Sequence, residues 1–442
     1  MIISKPEYVM GNRAGNHSTP LVIIIFSSQL WDDLNWTNKQ HLATHLASAG
    51  HKVIYVNPSL FNILARYNLA RRWSSYLTGK SSFPHAAVPD RKNLWVYQPV
   101  IFPFRKKSFI WNFNLYLIKS WITPRLMRLA RKIRSDANSP IVAWVYLPEI
   151  APSIIHQPFD LFVYDCVDDV WEFPLYKSNA EAGRLLEIGE KILLKKAEVI
   201  FATTTTLFQY LSPQNPHTYL VHNVADAPFF AQAQNPHLEV PKDLENIPHP
   251  RIGFIGAVAE YKLDLSLIRE VADRQPQWHW VLVGPITEED NSRSSLSNIA
   301  NIHLLGHRPY SQLPAYIKGF DVCVIPYKIN KYITSCFPIK FFEYLASGKP
   351  TITTPIPALL EYRQLVPLAS DASSFIRETK KLLRRDDPKA RQARIALAFE
   401  NTWEKRMNNM LEIIYERLEE KKAPILGKKS SIGKERATTL KE

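Results

Sequence analysis

The chain has 442 residues and only three cysteines, Cys166, Cys323 and Cys336. An odd, sparse set without CxxC spacing excludes a disulfide framework and a cysteine-based zinc site, and points to a reducing compartment. Glycine is scarce, at 14 residues, so those that fall at strand ends carry weight. Long apolar runs are missing. The longest early one, Leu21 to Phe26, has the length of a strand and is far too short to cross a bilayer. The polar stretch Met1 to Pro20 has no apolar core of the kind a signal peptide needs. The expectation is a cytoplasmic protein, in solution or peripheral on the inner face of the plasma membrane. Acidic residues are also in deficit: 55 Lys and Arg stand against 41 Asp and Glu, a formal charge of +14. Such a balance concerns partners rather than fold, and admits nucleic acid, anionic lipid or phosphate-bearing substrates.

Aromatic and apolar residues are plentiful, at 12% and 46%, enough for two domain cores. Leu21 to Phe26 is continuous and β-branched, as in a strand buried on both faces. An amphipathic segment with Leu42 and Leu46 follows, stopped by Gly50, and His51 to Val56 reads as a second strand. This βαβ opening predicts a doubly wound α/β domain. Further strands are expected at Leu94–Gln98, Ile141–Tyr146, Leu161–Asp165, Val199–Thr203 and His217–Val221. Insertions fall at about 59–92 and 104–135.

Residues 227–250 are rich in Pro, Asn, Ala and Gln without periodicity, and read as a linker. A second series follows at Arg251–Gly256, Trp278–Gly284, Ile302–Gly306, Asp321–Pro326 and Thr351–Thr354. The predicted organisation is a first Rossmann-like domain over 19–226 and a second over 251–385. A helical region over 386–421 is expected to cross back to the first domain. A basic, disordered tail over 422–442 completes the chain.

Ligands in open α/β sheets bind beyond the carboxyl ends of the strands. Gly256, Gly284 and Gly306 end three strands of the second series, where glycine permits close approach of a ligand to backbone. The densest segment is Ser335-Cys-Phe-Pro-Ile-Lys-Phe-Phe-Glu-Tyr-Leu-Ala-Ser-Gly-Lys-Pro350. Pro338 suits the first turn of a helix, Gly348 its end and Pro350 its stop. A helix of about three turns is predicted, with free N–H groups at its start that favour an anion. Lys340 in the first turn is out of place unless an anion binds there. Glu343 suits ribose hydroxyls, and an ordinary Lys–Glu pair is the plainer alternative. Gly348-Lys349 is not a P-loop, because Glu343 and Pro350 occupy positions that require Gly and Ser/Thr. Gly253-Phe-Ile-Gly256 is not GxGxxG, so a dinucleotide fingerprint is absent.

Four segments stand in the order found in family 4-like glycosyltransferases, and the sequence resembles that family. They are Arg251-Ile-Gly-Phe-Ile-Gly-Ala-Val258, Asn301-Ile-His-Leu-Leu-Gly306, Phe320-Asp-Val322 and Pro338 to Pro350. The resemblance is nearest to the branch concerned with teichuronic acid and other bacterial surface polysaccharides. Glu190, Ala197 to Thr203 and His222-Asn223 resemble the end of the family's first domain. The likeness covers about residues 20–410. It implies a GT-B fold, two Rossmann-like domains facing across a cleft. It also implies a UDP- or GDP-linked sugar donor, retention at the anomeric carbon and no metal or other cofactor. On this resemblance Glu343 holds the donor ribose, and Gly256, Lys262, Gly284 and Lys340 surround the diphosphate. Gly306, Ser335, Phe337, Pro338 and Ile339 complete the expected donor set. Many members carry a sugar-contacting Glu eight residues before Glu343; here that position is Ser335.

Three regions bear on the acceptor. Tyr164-Asp-Cys-Val-Asp-Asp-Val-Trp-Glu172 follows a strand, so Asp168 or Asp169 either binds acceptor hydroxyls or caps the next helix; Asp168 and Lys340 are the catalytic candidates. Trp31 and Asp32 lie in the loop after the first strand, facing the expected cleft, where loop packing is the alternative. Phe104 to Arg134 holds nine Lys or Arg, no Asp or Glu, and several aromatics. Trp111, Trp121, Arg125, Arg128 and Arg131 are therefore candidates for an anionic membrane surface, with a solvated helix face as the alternative. Nucleic acid is disfavoured because no recognisable module is present. The function expected is transfer of a sugar from a nucleotide-diphosphate sugar to a lipid-linked saccharide. A nucleotide-sugar epimerase and a non-catalytic binding subunit are the rivals.

Overall fold

A computed structural model describes residues 19–33, 36–58, 85–88, 91–99, 108–286, 292–384 and 386–422. Two sheets dominate it. The first has eight strands in the order β3-β4-β2-β1-β5-β6-β7-β8. These are β1 (Val22–Phe26), β2 (Lys52–Val56), β3 (His85–Ala87), β4 (Leu94–Tyr97), β5 (Ile141–Val145), β6 (Leu161–Cys166), β7 (Val199–Ala202) and β8 (Thr218–Leu220). Every pairing is parallel except β3 with β4. β1 and β5 at the centre are buried along their whole length. That is why they read as unbroken apolar runs rather than as alternating ones. The antiparallel β3 falls inside an insertion where no strand is expected.

The second sheet is fully parallel, in the order β11-β10-β9-β12-β13. Its strands are β9 (Arg251–Ile255), β10 (His279–Val283), β11 (Ile302–Gly306), β12 (Val322–Ile325) and β13 (Thr351–Thr353). The predicted strands of both series agree with these to within one or two residues.

The segment 227–250 is not an open linker. It forms short helical pieces at Ala227–Phe230, Ala231–Gln234 and Lys242–Glu245. Phe230, Ala233, Leu244 and Ile247 are buried in the second core. Short, Pro-broken helices leave no periodic signal, so composition alone hides their apolar contacts.

The chain then crosses between the halves twice at one place. Ala225, leaving the first sheet, bridges in parallel to Thr402, where the chain returns. The helix Pro388–Glu400 belongs to the second half: Ala398 lies in its core and Arg394 donates to the Gly348 carbonyl at 2.9 Å. The helix Trp403–Lys422 belongs to the first: Trp403, Met407, Met410, Ile414 and Leu418 are buried against the strands of the first sheet. Polar ties secure it. The Tyr415 hydroxyl donates to the Thr19 carbonyl at 2.8 Å, and Lys421 pairs with Glu198 at 2.6 Å.

In the second insertion, helix Ser108–Leu117 runs through a π-turn, Ile118–Ile122, into helix Thr123–Ile133. Pro124 has no N–H to give, and the Ile118 carbonyl receives both the Thr123 backbone amide and, at 2.8 Å, the Thr123 hydroxyl. Proline inside a helix is a usual cause of such a bulge.

Candidate functional site

The carboxyl ends of the two sheets face each other, and the segment before the Lys340 helix is where they touch. The Asn223 side chain donates to the Phe337 carbonyl at 2.9 Å and receives the Asn38 amide at 2.6 Å. Thr206 and Thr204 donate to the carbonyls of Thr334 and Ser335, at 3.1 and 3.5 Å. Lys331 pairs with Glu172 at 2.9 Å. His222 stacks on Phe337 with ring centroids 5.0 Å apart.

These contacts change part of the expected donor set. Phe337 is 1% exposed, held between His222 and Phe342. Its side chain seals the domain contact, its carbonyl is already taken by Asn223, and a ligand contact is corrected to a packing role. Ser335 is buried as well, with its carbonyl turned to Thr204.

The helix itself is Lys340–Ala346, two turns rather than three. Pro338 and Ile339 precede it, Pro338 buried and Ile339 half-buried. Gly348 ends it at φ +74°, where a Cβ would lie 2.9 Å from Arg391 Nε. The Ile255 backbone amide, at the end of β9, donates to the Tyr344 hydroxyl at 2.8 Å. The helix is thereby pinned beside the Gly256 turn. Lys340 Nζ and Glu343 Oε2 lie 2.6 Å apart, with Glu343 only 5% and Lys340 20% exposed at the side chain. Burial raises the Glu343 pKa, and the Lys340 charge and hydrogen bond oppose it. The plainer reading, a Lys–Glu pair, is thus the geometry of the ligand-free protein, but it is a buried pair at the mouth of the strands rather than a surface one.

Gly256, Gly284 and Gly306 end the neighbouring strands β9, β10 and β11. The Gly256 amide donates to the Val283 carbonyl at 2.9 Å and the Gly284 amide to the Gly306 carbonyl at 2.8 Å. A Cβ on Gly284 would lie 1.9 Å from the Gly256 carbonyl oxygen, whereas one on Gly306 would meet nothing within 4 Å. Glycine at 284 is therefore required by backbone packing in the strand-end turns, whatever binds above them. Lys262 is half-buried, with Nζ 5.0 Å from the centre of the Tyr327 ring.

On the first-domain side the two aspartates separate. Asp169 caps the short turn Val170–Glu172, accepting from the Trp171 amide at 3.2 Å. Of the two roles expected for it, acceptor binding and capping, the geometry shows capping. The half-buried Asp168 has no hydrogen bond or ion pair from its carboxylate among the described residues. Burial raises its pKa, and Lys39 and Lys262 pull it down, one from each domain. Lys39 is itself 7% exposed, its pKa lowered by burial against the pull of Asp168 and Asp165. His41 on the same helix stacks on Trp403 and abuts Tyr310. Burial holds its pKa down to about 3, with His45 and Lys340 adding to the effect. Trp31 is half-buried among Trp36 and Tyr55, its amide donating to Asn57 at 2.8 Å, and Asp32 is exposed.

Lys39 and Arg406 are the cationic residues that sequence reading missed. Arg406 donates to the His222 carbonyl at 2.9 Å and stands 3.9 Å from Asp165, both side chains almost fully buried. Lys39 follows the helix start at Asn38 by one residue, and Arg406 lies in a charged helix, so neither has a local pattern to mark it. Among the described residues no group of three or more His, Cys, Asp and Glu is placed to hold a metal ion.

Of the membrane-surface candidates, Trp111 is 3% exposed and packs with Val170, Tyr176 and Leu186. It is corrected to a core residue, because it lies on the inner face of its helix. Trp121 is 56% exposed, with the Arg125 guanidinium 5.3 Å from its ring centre. Arg125, Arg128 and Arg131 are all exposed. Arg66, Arg71, Arg72, Trp73 and Lys80, basic and aromatic residues of the 59–92 insertion that extend the membrane-surface expectation, lie outside the described residues, as do residues 104–107 and 423–442.

Two parallel doubly wound sheets facing across a cleft, with the chain returning to the first at its end, define the GT-B class. Solved structures share this fold. Sucrose-phosphate synthase from Thermosynechococcus elongatus is 15% identical, with TM-score 0.61 and coverage of 91% of this chain and 100% of that one. A glycosyltransferase from Rickettsia africae ESF-5 is 13% identical, with TM-score 0.59 and coverage of 91% and 99%. Anabaena HepE in complex with UDP and glucose is 11% identical, with TM-score 0.57 and coverage of 90% and 99%. Residues 249–385, within the second half, match the glycosyl transferases group 1 family. The chain is also 30% identical over 210 residues to TuaH of Bacillus subtilis (strain 168), assigned as a teichuronic acid biosynthesis glycosyltransferase. That match takes in 45% of this chain and 52% of TuaH, so the chain spans about half the length of this curated relative.

Proposed function

We propose that this protein transfers a sugar from a nucleoside-diphosphate sugar to a lipid-linked saccharide acceptor in the synthesis of a surface polysaccharide. The observation that carries the proposal is the buried Lys340–Glu343 pair, pinned by Tyr344 beside the Gly256 turn within the residues that match the glycosyl transferases group 1 family. A diphosphate entering above the strand ends competes with Glu343 for Lys340. The freed carboxylate then accepts hydrogen bonds from the ribose hydroxyls. Lys340 and Lys262 stabilise the charge that develops on the leaving diphosphate. These two cations supply what a metal ion would otherwise supply, which supports a metal-independent reaction. Asp168, unpaired at the other wall, is the candidate to bind and orient the acceptor hydroxyl.

UDP is the nucleotide to test first, because HepE was solved with UDP and with UDP-glucose. Retention at the anomeric carbon rests on the family likeness. A peripheral, cytoplasmic site of action agrees with the exposed Trp121 and its arginines. Among the described residues no helix is long and apolar enough to cross a membrane.

The test is nucleotide release from common UDP- and GDP-sugars, with and without an acceptor extract. Acceptor-dependent release is expected. Donor turnover without acceptor would favour an epimerase, and tight nucleotide binding without turnover a binding subunit. In calorimetry, Glu343→Ala should weaken UDP binding by about 10- to 100-fold, the range for a lost hydrogen bond to a charged group. Unchanged affinity would remove Glu343 from the site.

A further inference from the structure

The start of the Lys340 helix has little of its own to hold it. No side chain caps it at Ile339, and a lysine in the first turn is disfavoured by the free N–H groups there. In its second turn Tyr344 is fixed to the Ile255 amide at 2.8 Å. What fixes the start lies in the other half of the molecule. Three of the four carbonyls from Thr334 to Phe337 accept hydrogen bonds from first-domain side chains, Thr206, Thr204 and Asn223. The Asn223 bond is the shortest of these, at 2.9 Å, and the nearest to the helix.

Asn223 is itself held from the other side. Its Oδ1 receives the Asn38 amide at 2.6 Å, and Asn38 opens helix Asn38–Ser48 of the first domain. Asn38, Asn223 and Phe337 are all buried. The Phe337 carbonyl can only accept, so it requires the Asn223 N–H₂, and Oδ1 is left for the Asn38 N–H₂. One orientation of the carboxamide satisfies both neighbours. The backbone that carries Asn223 is clamped as well. The preceding His222 carbonyl accepts from Arg406 Nε at 2.9 Å, and the His222 ring donates through Nδ1 to the Thr203 carbonyl at 2.8 Å.

A buried relay therefore runs from the helix that carries Lys39, through Asn223, to the turn that leads into Lys340. Lys340 stands three residues past Phe337, about 4.5 Å of helix rise. A shift of the Phe337 carbonyl passes to Lys340 through three peptide units, while Tyr344 keeps the later turn in place. Loss of the relay would thus move the Lys340 ammonium relative to the Gly256 turn and to Glu343.

We propose that Asn223 is a positioning residue for the donor site. From the first domain, and without touching the nucleotide, it sets the first turn of the helix that carries Lys340 and Glu343. Its effect on nucleotide affinity rests on the sugar-transfer reading above, whereas its effect on the helix does not.

The full-length parent, Asn223→Ala, Asn38→Ala and the double variant are compared in three ways. These are calorimetry with UDP and with GDP, the donor KM in the transfer assay, and hydrogen exchange of residues 338–346 without nucleotide. Asn223→Ala strands the buried Phe337 carbonyl. It should weaken nucleotide binding about fivefold or more, raise the donor KM to match and quicken exchange in the segment. Asn38→Ala frees the Asn223 carboxamide but leaves its link to Phe337, and should do the same to a lesser degree. The double variant should be no worse than Asn223→Ala alone, because both residues act through one relay. A merely structural Asn223 would lower the unfolding temperature and the apparent kcat at unchanged nucleotide affinity and KM. That result overturns the proposal, as do losses that add in the double variant. If Asn223→Ala does not fold, Asn38→Ala decides, and parent-like affinity and exchange in it reject the relay. If the parent binds neither UDP nor GDP, the sugar-transfer reading falls and exchange decides alone. Faster exchange in the variants then upholds the relay, and equal exchange rejects it.

Discussion

At the scale of single residues, the site is a set of buried ionisable groups whose partners differ. Glu343 has Lys340, Asp169 has a backbone amide, Asp168 feels two lysines and the Asp169 charge without a direct partner among the described residues, and Glu149 has a phenol on one oxygen and nothing on the other. Glu149 has a measurable consequence for stability. Its carboxyl is raised by burial from 4.5 to about 7 in the folded protein, so between these values the folded state holds a proton that the unfolded state has lost. Stability from this group is fully present below about pH 4.5 and lost as pH rises through 7. Tyr176 is the titratable group that faces it. Glu149→Gln should therefore match the parent in thermal unfolding near pH 5. By pH 8 it should exceed the parent by a margin on the order of 3 kcal/mol. Parallel pH profiles for the two proteins would show that Glu149 ionises freely.

At the scale of elements, the helix pair around the π-turn Ile118–Ile122 is the clearest example of a face decided by packing. Sequence marks the whole stretch as basic and aromatic. In the structure Trp111, Ile118, Ile122, Leu126 and Ala130 turn inward. Phe113, Tyr116 and Trp121 are exposed at 44, 59 and 56%, beside the exposed Arg125, Arg128 and Arg131. Exposed aromatic rings beside cations suit the headgroup region of an anionic membrane. Flotation with phosphatidylglycerol-containing liposomes at low salt should recover the protein. Trp121→Ala should reduce recovery several-fold, and Arg125→Glu with Arg128→Glu should abolish it, each juxtamembrane cation being worth about 1 kcal/mol. Recovery unaffected by these changes would leave the stretch as a solvated face. Trp111→Ala should behave differently, lowering stability without a specific effect on liposome binding.

At the scale of the whole molecule, the last helix ties the two halves together. Trp403 is 2% exposed, stacks on His41 and lies 5.3 Å from the Arg406 guanidinium. It stands one residue after Thr402, where the chain returns beside its own outward crossing at Ala225. Trp403→Ala should cost about 3–5 kcal/mol in chemical unfolding, the usual range for a buried tryptophan. Hydrogen exchange should quicken first in the strands of the first sheet, because the helix covers that sheet and not the second. A loss under 1 kcal/mol would mean the helix is dispensable to the first domain.

The order of strands, the two α/β series and the segment Pro338 to Pro350 were legible because each rests on local periodicity, on glycine and proline placement, or on contiguous residues. Sequence alone determined that this is a two-sheet α/β protein whose second half carries a segment, Pro338 to Pro350, resembling family 4-like glycosyltransferases. Only the tertiary structure decided that Asp169 caps while Asp168 stays unpaired, that Phe337 and Trp111 are sealed, and that Phe230, Ala233, Leu244 and Ile247 within 227–250 reach the second core. It alone brought Lys39, Arg406 and Glu149 to the carboxyl ends of the first sheet. The physical reason is common to all of these. Burial and the pairing of a polar atom depend on neighbours remote in the chain, such as Trp111 with Leu186 or Arg406 with His222, and no local pattern encodes which remote neighbour arrives.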